Sequence, residues 1–231
     1  MLKTIRHRCL PPALFAALAL NTPQLPAQTP PRVSQWEPEI RRFERMDRTN
    51  PPPQHAVLFI GSSSIRKWHT LAQDFPGVHV INRGFGGSEI HDSTHFARQI
   101  IFPYQPRIIV FYAGDNDLAT GMSPDQVVAE YQAFVHAVHA RLPDTLIVFI
   151  SIKPSPIRWR LKDKIIETNR RIAALKGPHL AFVDIFSPML DAQGNPRQDL
   201  FLSDGLHPNE KAYRLWASLI QPYLKPSSPR E

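Results

Sequence analysis

Two rhythms of apolar residues alternate along this chain. Short, nearly unbroken apolar runs occur at Ala56 to Ile60, Val78-His79-Val80-Ile81, Arg107 to Tyr112, Leu146 to Ile150 and Leu180 to Val183. Their length and their β-branched and aromatic content predict strands buried on both faces. Between them, apolar positions recur every three or four residues, as on one face of a helix. This pattern predicts helices over Ile65 to Ala72, about Glu89 to Phe102, Ser123-Pro124 to Arg141, and 160 to 175. A last helix is expected with Pro208 at its first position and Ala212, Leu215, Trp216, Leu219 and Ile220 on its apolar face. Five strands alternating with helices predict an α/β protein, a three-layer α/β/α sandwich around a five-stranded parallel sheet.

Upstream of the first strand, Ser34 followed by Glu37 has the spacing of a capping box, so a helix is expected from there to about Asp47. Trp36, Ile40, Phe43 and Met46 form its apolar stripe, which would lay the helix across the main domain. Pro51-Pro52-Pro53 then ends it. The first 27 residues differ from the rest: Lys3, Arg6 and Arg8 precede the run Ala13 to Leu20, and Leu25-Pro26-Ala27 offers a cleavage site. They read as a secretory signal peptide, too short in its apolar part to span a bilayer stably. The organisation predicted is therefore a signal peptide over 1–27, a Pro-rich linker and amphipathic helix over 28–53, one domain over 54–225, and a disordered tail over 226–231.

Export changes what composition implies. The single cysteine, Cys9, lies inside the leader, so the mature chain would contain neither disulfides nor a thiolate nucleophile. Export without disulfides suits a bacterial periplasm. Losing Lys3, Arg6 and Arg8 also takes the formal charge of +7 down by three, which weakens any case for a nucleic-acid partner. The basic clusters Arg158-Trp159-Arg160-Leu161-Lys162 and Arg170-Arg171 are expected to be solvated helix faces. Trp68 and Trp159 either line a site or pack in the core.

Four junctions between elements are polar: Gly61 to Ser64, Gly84 to Ser88, Gly114 to Asp117 and Asp204 to His207. Open parallel sheets hold ligands at such loops. The glycines at 84, 86 and 87 permit close backbone approach, so that main-chain N–H groups can face a ligand. Their spacing excludes a dinucleotide fingerprint, and the lysine and hydroxyl of a phosphate loop are missing. Nucleophilic acyl transfer needs a hydroxyl, a base, a group that orients the base, and donors for an oxyanion. The serines at 62, 63 and 64, with His207, Asp204, Gly87 and Asn116, can supply these parts, and the residues by themselves leave open which serine acts. His91 and His95 stand four apart, as metal ligands can, but nothing acidic or histidine-rich completes a set, so no metal is expected.

In this order the four segments resemble the blocks of the SGNH hydrolases, also called GDSL-type esterases and lipases, over residues 57–207. The family's first block, Gly-Asp-Ser-Leu after a strand, corresponds without a gap to Gly61-Ser62-Ser63-Ser64, with Ser62 where the family has aspartate. The resemblance implies Ser63 as nucleophile and one oxyanion donor, Gly87 and Asn116 as the other donors, and Asp204 with His207 as the remaining catalytic pair. Asn82-Arg83-Gly84-Phe85-Gly86-Gly87 looks most like the branch containing the platelet-activating-factor acetylhydrolase catalytic subunits. The resemblance also implies a flavodoxin-like strand order, 2-1-3-4-5, and chemistry without a cofactor. The activity expected is hydrolysis of short-acyl, above all acetyl, esters of a small molecule or carbohydrate. Alternatives are a lysophospholipase or thioesterase of the same fold, and a non-catalytic carbohydrate-binding relative or a structural protein with a decayed site. The carbohydrate-binding reading would be expected to lack a member of the triad.

Overall fold

The five strands are Val57–Gly61 (β1), Val80–Gly84 (β2), Ile108–Tyr112 (β3), Leu146–Ile150 (β4) and Leu180–Val183 (β5), all parallel and ordered β2-β1-β3-β4-β5. These come from a computed structural model that describes residues 35–224. The leader, the Ser34 cap and the C-terminal tail expected from the sequence lie outside those residues. Successive strand side chains point to opposite faces, which is why unbroken apolar runs were needed. Leu58, Ile60, Ile109, Phe111, Ile147 and Phe149 enter one core layer; Val57, Phe59, Val110, Tyr112, Val148 and Ile150 enter the other.

The helices are Glu37–Thr49 (α1), Ser63–Arg66 (α2), Leu71–Asp74 (α3), Ile90–His95 (α4), Ala97–Ile100 (α5), Asp115–Ala119 (α6), Pro124–His139 (α7), Lys162–Ala174 (α8) and Glu210–Leu224 (α9). The first core layer is covered by α1, α4, α5, α6, α7 and α8, the second by the segment from α2 to α3 and by α9. Several boundaries differ from the sequence reading. The helix expected over 65–72 is two short ones, because Trp68 turns into the core, where Asp74 accepts from its indole N–H at 2.6 Å and from the Thr70 hydroxyl at 2.6 Å. The helix expected over 89–102 breaks where Phe96 buries its ring, at φ −87° and ψ 8°.

Strand β2 lies later than expected, through Gly84, because pairing with β1 continues to Gly61 opposite Gly84. Its polar residues have partners: Asn82 donates to the Ile65 carbonyl, and buried Arg83 pairs with Asp47 and Tyr104. That pairing also fastens α1 to the domain, since the Tyr104 hydroxyl donates to Asp47 at 2.5 Å while Ile40 and Phe43 are buried. Met46, expected in the same stripe, is 48% exposed. Pro208 does not open the last helix. It bridges to Phe201, and the Asn209 side chain accepts from Ala212 N at 3.1 Å just inside a helix that starts at Glu210.

At the end of β1 the chain passes so close to β3 that only glycine fits. Gly61 has φ +133°, and a Cβ there would lie 1.9 Å from the Tyr112 carbonyl oxygen. Gly61→Ala should therefore destabilise the fold by more than about 2 kcal/mol, read as a lowered midpoint in urea unfolding. A midpoint unchanged from wild type would mean that this approach is not built into the fold.

Candidate active site

The turn after β1 sorts its three serines. Ser62 flanks α2 in extended conformation with its N–H on the Tyr112 carbonyl at 3.0 Å, and its side chain is buried. Ser64 is buried as well, its carbonyl accepting from the Tyr213 hydroxyl at 2.9 Å. Ser63 stands between them, half-buried, as the first residue of α2, where no carbonyl four residues earlier takes its N–H. Its Oγ lies 3.0 Å from Nε2 of His207, across 144 residues of sequence.

The loop before α9 orients that imidazole. His207 Nδ1 is 2.6 Å from Asp204 Oδ2, and Asp204 Oδ1 accepts from the N–H groups of Leu206 at 2.8 Å and His207 at 2.9 Å. Partial burial works against ionisation of Asp204, but His207 and the two backbone donors outweigh it and hold the carboxyl well below the ordinary carboxylate range. With Nδ1–H on the carboxylate, Nε2 is free to accept a proton from a hydroxyl.

The two remaining turns meet beside Ser63's loop. Gly87 is exposed at φ +78°, and a Cβ on it would come 3.1 Å from the ring of Trp36, which also meets Phe85 edge-on at 5.8 Å. Asn116 donates from Nδ2 to the Ser88 carbonyl at 2.8 Å, joining the second turn to the third. Gly114 to Asp117, expected as a polar turn, leads directly into α6, with Gly114 just before its first residue. Asp117 makes this possible by accepting from the N–H groups of Ile90 and Gly114, each at 3.0 Å. Burial raises the Asp117 carboxyl to about 6 despite those donors.

Arg158, expected on a solvated face, points inward instead. Its guanidinium donates to Asn116 Oδ1 at 2.9 Å and pairs with Asp115 Oδ1 at 2.6 Å. Lys153, at 1% exposure, pairs with the other oxygen of Asp115 and donates to the Tyr112 hydroxyl at 2.9 Å. The available signal was a lysine in the loop three residues beyond a strand buried on both faces, followed by Pro154-Ser155-Pro156. Nothing in the sequence showed that Asp115 would be its partner. Trp68 packs in the core and Trp159 stacks on Phe186 at 6.3 Å. Of the two histidines on the helix, His91 lies 3.1 Å from Asp92, and His95 meets the Phe96 ring. Among the described residues no group of three His, Cys, Asp or Glu is arranged to hold a metal ion.

A parallel sheet in the order 2-1-3-4-5, with a hydroxyl, an imidazole and a carboxylate in series at its carboxyl edge, defines an α/β hydrolytic fold of SGNH type. Residues 61–215 match the GDSL-like lipase/acylhydrolase family, and the chain belongs to it. It is accordingly a hydrolase acting on esters. A search of curated proteins found no significant match. Among solved structures, a Streptococcus pneumoniae protein described as a candidate platelet activating factor is similar, with TM-score 0.74, 19% identity, and 84% of this chain and 94% of that one covered. A GDSL-like lipase from Bacteroides thetaiotaomicron matches with TM-score 0.69 and 23% identity over 80% of this chain and 96% of its own. A variant of an acetyl-xylooligosaccharide esterase from Geobacillus matches with TM-score 0.59 and 14% identity over 78% and 98%. At these identities the likeness is one of fold.

Proposed function

We propose that the protein hydrolyses short-acyl esters, acetyl esters foremost, through an acyl-enzyme formed on Ser63. The observation that carries this reading is the 3.0 Å contact between Ser63 Oγ and His207 Nε2, backed by Asp204. Ser63 Oγ attacks the ester carbonyl carbon as its proton passes to Nε2, and the carbonyl oxygen becomes an oxyanion. The N–H groups of Ser63 and Gly87 and the remaining Nδ2 hydrogen of Asn116 receive that charge. Collapse breaks the bond to the alcohol, which leaves with the proton from His207. Water then attacks the acyl-enzyme with His207 as base, releasing the acid and restoring Ser63.

Preference for a small acyl group is supported by Trp36, whose ring lies against Gly87 and would wall the space next to the oxyanion. Acting on esters of carbohydrates or small molecules outside the cytoplasm is supported by the basic and apolar leader over residues 1–27. Labelling by a fluorophosphonate probe, followed by p-nitrophenyl esters of increasing chain length, tests both parts. The expected order is acetate over butyrate over octanoate in kcat/KM, and absence of labelling in folded protein would overturn the serine mechanism.

Trp36→Ala is expected to raise the octanoate-to-acetate ratio of kcat/KM by about tenfold, the scale on which hydrophobic pockets discriminate methylenes. An unchanged ratio would remove Trp36 from the acyl wall.

A further inference from the structure

We propose that Arg158, anchored on the buried pair Asp115–Lys153, is a positioning residue that fixes and polarises the Asn116 amide for oxyanion binding, which rests on the reading of Asn116 given above. A primary amide has nearly the same shape with its oxygen and nitrogen exchanged, so only its partners decide which end faces the site. Asn116 Nδ2 donates to the Ser88 carbonyl at 2.8 Å, and Oδ1 accepts from Arg158 at 2.9 Å. The flipped amide would set carbonyl against carbonyl at Ser88 and an NH2 group against the guanidinium. Arg158 thus supplies half of the discrimination, and one Nδ2 hydrogen remains for the oxyanion.

The same contact has an electronic side. A cation on Oδ1 draws density from the amide and makes Nδ2–H a stronger donor, the more so away from water. Arg158 is held from behind by Asp115, whose side chain is 4% exposed and whose second oxygen is taken by Lys153 at 1%. Burial pushes the Asp115 carboxyl up, but the two cations outweigh it and keep it ionised below its ordinary range. Arg158 thereby holds positive charge at the Oδ1 end of the amide, behind the Nδ2–H that would meet the oxyanion. A buried network of this kind is a costly way to hold a loop, since apolar packing of similar volume often stabilises as well or better. Its position behind Asn116 gives it a use that packing alone would not.

A double-mutant cycle in kcat with p-nitrophenyl acetate, together with melting temperatures, provides the test. Asn116→Ala should lower kcat by about 10² to 10³. Arg158→Ala should lower it by about 10 to 100 with KM little changed, and Arg158→Lys should recover part of that loss. In the Asn116→Ala background the Arg158→Ala effect should disappear, because there is no amide left to position. If Arg158→Ala lowers kcat equally in both backgrounds, or raises KM with kcat intact, positioning through Asn116 is wrong while the oxyanion reading of Asn116 stands. If Asn116→Ala leaves kcat at wild-type level, the oxyanion reading itself fails. Should Arg158→Ala not fold, the same cycle run with Arg158→Lys carries the test.

Discussion

Ser63→Ala is expected to cut hydrolysis of p-nitrophenyl acetate by at least about 10⁴-fold while leaving the melting temperature close to wild type. The loss is large because no other hydroxyl of the turn can take over: Ser62 and Ser64 are buried, and His207 Nε2 meets Ser63. The fold should persist because Ser63 opens α2 half-buried, and the hydrogen bonds of the turn are made largely by backbone groups, the Ser63 carbonyl among them, which alanine keeps. Ser62→Ala should keep activity within about tenfold, since its side chain is not aimed at the imidazole. Ser64→Ala should be neutral or slightly stabilising, since its buried Oγ has no hydrogen-bond partner among the described residues. Full activity in Ser63→Ala would reassign the nucleophile and with it the first block of the family motif.

Asp204→Asn should cost about 10⁴ in kcat, more than removal of any single oxyanion donor. Asp204 accepts three hydrogen bonds at once, from the His207 ring and from two backbone N–H groups. An amide has one accepting oxygen, so its NH2 group would face either the backbone donors or Nδ1. Facing Nδ1, it favours the tautomer with hydrogen on Nε2, which cannot take the proton of Ser63. The same site fixes a pH dependence. Because the Asp204 carboxyl is held below its ordinary range, the stability it contributes is present above that range and lost only as the pH falls through its depressed value in the folded protein. Over the ordinary acid range the Asp204 carboxyl therefore stays ionised. Activity retained in Asp204→Asn would contradict this assignment.

The elements most legible in the sequence were those whose burial is uniform. The bounds of β4 and β5 coincide with those read from their apolar runs, and Ser123-Pro124 marks the start of α7 through a hydroxyl cap and a proline at the first helical position. Less legible were the places where one side chain's destination breaks a local rhythm. Trp68 and Phe96 fit the helical period of their neighbours, and their rings turn into the core at the cost of the helix. Arg83 and Asn82 look unlike strand interior until Asp47, Tyr104 and the Ile65 carbonyl are brought to them.

By itself the sequence determined the α/β alternation and the order of four polar turns, because apolar period and glycine position are local properties of the chain. The turns carry Ser63, Gly87, Asn116, Asp204 and His207, and each reads as a candidate in isolation. Tertiary structure decided which of three adjacent serines faces His207, since that depends on how the first turn of α2 is rotated relative to a loop 144 residues away. It also decided that Arg158 turns inward rather than to water. A guanidinium follows the nearest desolvated carboxylate, and Asp115 becomes one only when β3, α6 and the Lys153 loop after β4 are packed together.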